Sequence, residues 1–64
     1  SQVRPDEMED LFRWMYDNLE LWGSTDEQQD SAILIIRNGL VNHSLVSDPE
    51  INLSATLVEL TQIN

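Results

Sequence analysis

Cysteine and lysine are missing from this chain, and histidine occurs once. Without cysteine there are no disulfides and no thiolate metal ligands. A single histidine, His43, excludes a multi-histidine metal centre within one chain. The only basic residues are Arg4, Arg13 and Arg37, set against twelve acids, for a net charge of −9. A protein that neutralises phosphates needs clustered Lys or Arg. Direct nucleic-acid binding is therefore not expected, and attraction to an anionic membrane is opposed for the same reason. Long hydrophobic runs are missing as well. The longest, 32–36, is five residues, against about 20 for a membrane-spanning helix. Two isolated glycines cannot build a phosphate-cradling loop. No segment has the pattern of a signal peptide, and with cysteine absent a cytoplasmic setting is expected. The chain opens on Ser1-Gln2 with no methionine, which reads as a domain cut from a larger protein, with Ser1 a remnant of the excision.

What the chain does have is apolar surface. Hydrophobic residues make up 41% of its 64 residues, too many for a disordered tail despite the charge. Sixty-four residues make one domain, expected to span 1–64. A domain of that size buries only about 60% of the surface its unfolded chain exposes. Small scaffolds usually need disulfides, a metal or a partner chain, and here the partner chain is left. The charge is uneven: residues 1–30 hold nine of the twelve acids, and 31–64 form the apolar half.

Helical spacing organises the chain into three segments. The first helix is expected at about 5–22. Pro5 suits its first turn, and Asp6, Glu7, Glu9 and Asp10 complement the positive end of the helix dipole. Met8, Leu11, Phe12, Met15, Leu19 and Trp22 fall on one stripe, and Gly23 reads as a left-handed C-cap. The second helix is expected at about 25–45, opened by a capping box of Ser24 with Glu27 or Thr25 with Gln28. Asn38-Gly39 offers a stop, but Ile33, Ile36 and Leu40 form one stripe and Leu34, Val41 and Leu45 another. Both cross Gly39 in phase, which favours continuation at about 1 kcal/mol relative to Ala. The third helix is expected at about 48–63, with Pro49 in its first turn and a capping box of Ser47 with Glu50. Leu53, Leu57 and Leu60 make one stripe; Ile51, Ala55 and Val58 make another. A strand reading of the alternation from Ile51 to Leu57 fails at Val58 and Leu60.

The fold class that follows is all-α, a small three-helix bundle or a helical hairpin plus a third helix. A helix with one apolar stripe packs on one side, whereas a helix apolar on two sides is buried or shared. The second and third helices each have two. The surplus is expected to meet a second copy, because most soluble oligomers are homo-oligomers and twofold dimers lead among them. A homodimer, or a higher even assembly, is the expectation, against the alternative of a monomer with exposed aliphatics. The candidate partner-binding residues are Leu34, Val41, Leu45 and Val58 on the second stripes, with Trp14 and Leu21 on the first helix. Trp14 and Leu21 lie off the main stripe beside Asp10 and Asp17, an apolar anchor with an acidic rim. The competing reading has Trp14 lying flat on the surface or covering a loop.

Chemistry finds little purchase. The acids of the first helix belong to a solvated face, and nothing builds the cleft that would raise a carboxylate pKa for acid–base work. Asp48, Glu50, Asn52, Thr56 and Glu59 fall at calcium-loop spacing, but the turn position that demands glycine is Leu53. His43 reads as a capping or surface residue near a helix end, with a pH switch as the alternative. Asn42-His43-Ser44 and Asn52-Leu53-Ser54 fit the glycosylation pattern and are read as unmodified. No cofactor, metal or catalytic group is expected. The chain is expected to be a protein-interaction or oligomerisation module without enzymatic activity. The alternative is a small acidic inhibitor or adaptor that docks on a basic surface of a partner, possible sites for which include surfaces that hold nucleic acid.

Overall fold

Met8, Phe12 and Met15 repeat at intervals of four and three, the spacing that stacks side chains on one helix face. The computed structural model, which describes residues 5–64, realises that face: α1 runs Pro5–Asp17 and buries all three. Ser1 and Arg4, with the side chains of Pro5 and Asp6, lie outside the described residues. Burying a side chain such as Phe12 contributes on the order of 1.5–3 kcal/mol. Leu11, expected on the same stripe, sits at its margin and is exposed.

α1 stops before the expected Trp22, and Asn18 is the cause. The Trp14 carbonyl, whose helical partner would be the Asn18 N–H, accepts instead from the Asn18 side-chain amide at 2.8 Å. Such local side-chain bonds compete with the helical ladder. Asn18 leaves helical geometry at φ −128°, ψ 47°, and Leu19–Leu21 form a 3₁₀ turn. The Met15 carbonyl takes the Trp22 indole N–H at 3.0 Å. Trp22 thus reaches the core by folding back, not by extending the helix. Gly23 is not a left-handed cap, since no glycine among the described residues has positive φ. It is buried, and a Cβ there would collide with the Gln28 side chain.

That collision marks the start of α2, Asp26–His43. Of the two capping boxes the sequence offers, Thr25 with Gln28 forms. The Thr25 hydroxyl accepts from the Gln28 N–H at 3.1 Å, and the Gln28 side-chain oxygen accepts from the Thr25 N–H at 3.2 Å. α2 continues through Gly39, ending at His43 with Ser44 as C-cap, two residues short of the expected Leu45. α3 spans Pro49–Thr61, within two residues of expectation at its C-terminal end. Its cap is Asp48 alone, in place of a Ser47–Glu50 box. The Asp48 carboxylate accepts from the Glu50 and Ile51 N–H groups at 3.1 and 3.3 Å. The residues at calcium-loop spacing therefore run along a helix.

Gly39 explains how the helices meet. A Cβ built on it would strike Thr56 Oγ1 and come within 2.7 Å of Phe12 Cε1. The absent side chain lets α3 and the Phe12 ring approach the α2 backbone directly. The Gly39 carbonyl also accepts from the Asn52 side-chain amide at 2.8 Å, tying α3 to α2. Phe12, Met15, Ala32, Ile36 and Leu60 form the buried cluster, with Leu19, Trp22, Ile35, Leu53, Leu57 and Ile63 packed around it. His43 belongs inside, contrary to its reading as a surface or capping residue. It is buried, with its ring tilted against Phe12 at a centroid distance of 6.1 Å. Among the described residues the chain is all-helical, 33 × 19 × 17 Å in extent.

Candidate protein interface

α2 has an inner and an outer side. Ala32, Ile36, Gly39 and His43 are buried, repeating at intervals of four, three and four. Leu34 and Val41, each 56% exposed, lie seven residues apart about half a turn from that face. α3 divides the same way. Thr56 and Leu60 are buried and Leu53 and Leu57 are half-buried, while Ile51, Ala55 and Val58 are exposed along the opposite side. All the expected interface positions are open to solvent in one chain, Leu34, Val41, Leu45 and Val58 among them. Leu45 does not join the α2 stripe, because the helix ends at His43. Its N–H donates to the Asn42 carbonyl at 2.9 Å in the turn that follows.

Trp14 and Leu21 are both exposed but do not share one continuous helix. The break at Asn18 places Leu21 in the 3₁₀ turn, out of helical register with Trp14. Trp14 packs edge-on against Trp22, with ring centroids 6.3 Å apart at 81°. Such a pair is worth about 0.5–1.5 kcal/mol beyond its buried area. Trp14 therefore covers the fold-back loop while remaining half exposed. Asp17 is exposed and pairs with Arg13 at 3.3 Å, one turn away. The Arg13 guanidinium in turn sits 5.6 Å from the centre of the Tyr16 ring. Exposed pairs of this kind add little to stability; they hold the Arg13 head over the surface of α1.

Sequence reasoning missed the groove between α1 and α2, a space of about 660 Å³. Its apolar lining includes Phe12, Ile33, Ile36 and Leu40, and Arg13 and Arg37 border it together with Glu9, Asp10 and Tyr16. Two of the chain's three basic residues thus stand at one concavity. One signal was present in the sequence. Arg37 is flanked by Ile33 and Leu34 one turn before it and by Leu40 and Val41 one turn after. An arginine inside four aliphatics on a helix surface marks apolar ground that is not core.

Among the described residues no group of three or more His, Asp or Glu side chains is placed to hold a metal ion. No helix there is long and apolar enough to cross a membrane. No family model matches the chain, and no curated protein or solved structure is significantly similar to it.

Proposed function

We propose that this chain is a protein-interaction module without catalytic activity that associates with copies of itself, the dimer being its smallest assembly. One observation carries the reading. Among the described residues eleven large apolar side chains are exposed, against six buried apolar residues in the core. Single exposed aliphatics are ordinary. Here they are grouped, with Leu34 and Val41 along α2 and Ile51 and Val58 along α3. Covering such stripes contributes about 25 cal/mol for each Å² of apolar surface removed from water. For a domain this small, a partner chain supplies stability that the internal core does not.

A second reading draws on the acids. Glu7, Glu9, Asp10, Asp17 and Glu20 are all exposed on α1 or the turn after it. That face suits an acidic inhibitor or adaptor docking on a basic partner surface, where charge speeds association. Light scattering across a concentration series at low and high salt separates the two. Self-association through apolar stripes gives a mass above 7.4 kDa that survives added salt. A strict monomer at high micromolar concentration removes the first reading, and a partner complex that dissolves steeply with salt supports the second.

A further inference from the structure

We propose that Asn38 is a deamidation site that the folded chain holds closed and that opening of α2 at Gly39 releases. The inference does not rest on the self-association proposed above. Asn38-Gly39 is the one asparagine–glycine pair in the sequence; Asn18 and Asn52 precede leucine and Asn42 precedes His43. With no side chain on Gly39, its backbone nitrogen is unhindered and the chain there is permissive. That nitrogen gives up its proton to solvent base and attacks the Asn38 side-chain amide carbon. A C–N bond forms, ammonia leaves and a five-membered succinimide closes. Water then opens the ring at one of its two carbonyls, leaving aspartate or isoaspartate. Water is the only co-reactant, and Asn38 is exposed to it.

The fold blocks the first step. Both residues lie inside α2, where the Gly39 N–H donates to the carbonyl four residues earlier. Ring closure needs the main chain at Asn38 turned well away from the helical ψ of about −42°. Gly39 is also buried under α3. Its carbonyl accepts from the Asn52 side-chain amide at 2.8 Å, and Thr56 and the Phe12 ring occupy the space a side chain would fill. The same packing that demands glycine at 39 therefore restrains the reactive pair that glycine creates.

The reaction is a one-way record of opening. Isoaspartate runs the main chain through the former side-chain methylene and lengthens it by one carbon. That extra atom falls in the middle of α2, next to the residue on which α3 and Phe12 close. A chain modified in this way cannot restore both the helical ladder and the Gly39 contact.

The full chain is incubated at mildly alkaline pH in buffer and in denaturing urea, and deamidation at each asparagine is followed by peptide mass spectrometry. In urea Asn38 is expected to react well ahead of the other asparagines. In buffer it should be slower by on the order of a hundredfold, the low end of what a domain this size holds against opening. Asn52→Ala removes the tie to Gly39 and should speed the reaction in buffer about fivefold, the factor one hydrogen bond is worth, with no change in urea. Thr56→Ser, which removes only a methyl beside Gly39, takes its place should that variant fail to fold, with a smaller increase expected. The isolated isoaspartyl chain should melt below the wild type, whereas Asn38→Asp, with the charge but no added methylene, should melt close to it. Equal rates in buffer and urea, or an Asn38 no faster than Asn18 in urea, overturn the proposal. A loosened variant that reacts in buffer at the wild-type rate, or an isoaspartyl chain as stable as Asn38→Asp, removes the role given to the Gly39 contact.

Discussion

α1 and α3 are the same length, thirteen residues each, and they spend it differently. α1 gathers Met8, Phe12 and Met15 on one buried face and gives its outer side largely to acids. α3 turns Leu53, Leu57 and Leu60 inward and still shows Ile51, Ala55 and Val58 to solvent. α1 covers its main stripe within its own chain and leaves Leu11, Trp14 and Tyr16 partly exposed. α3 is apolar on both sides, and one short chain can cover only the inner one. α2 resembles α3 in this, with Leu34 and Val41 left outside. The contrast follows the charge, since nine of the twelve acids precede residue 31. The acids gather on α1 and the first turns of α2, and the exposed stripes of α2 and α3 lie beyond them in the sequence.

The sharpest way to break the inner side is Phe12→Ala. Phe12 is among the largest fully buried side chains and touches α2 near Gly39 as well as the His43 ring. Its truncation is expected to cost about 3–5 kcal/mol. At about 0.05–0.15 kcal/mol per residue, that rivals the whole stability of a domain this size. Thermal melting followed by circular dichroism should lose its cooperative transition.

Gly39→Ala is next. In an open helix the change would gain about 1 kcal/mol, but here the new methyl meets Thr56 and Phe12. Overpacking of about 1–3 kcal/mol outweighs the gain, so urea midpoints should fall. A rise in midpoint would mean that the two helices have room to separate.

Val58→Ser probes the outer side and should do least to the fold. Exposed substitutions of this kind stay within about 0.5 kcal/mol. Association, by contrast, makes the melting temperature depend on protein concentration. That dependence should be present in the wild-type chain and flatten in the variant. If the variant instead lost several kcal/mol at every concentration, Val58 would be core and the division of α3 would be wrong.

Much of this was legible from spacing alone. The α1 stripe, the passage of α2 through Gly39 and the two-sided character of α2 and α3 all follow from which residues recur three and four apart. What escaped depends on contacts between distant parts of the chain. The break at Asn18 needs its side-chain amide on the Trp14 carbonyl and the Trp22 indole on Met15, and neither bond has a sequence signature. His43 looks like a terminal residue until Phe12 is placed beside it. Gly23 has the sequence position of a cap, where glycine is common, whereas its role is to clear space for Gln28. The groove belongs to no single helix, so only the Arg37 environment hinted at it.

The division between inner and outer faces is tested most directly by residue-resolved amide spectra of the wild-type chain, diluted from millimolar to low micromolar concentration. The account predicts shifts concentrated at Ile33, Leu34, Leu40 and Val41 on α2 and at Ile51, Ala55 and Val58 on α3, with Met8 and Met15 unmoved. Spectra that do not change on dilution, or changes centred on the buried cluster, would contradict it.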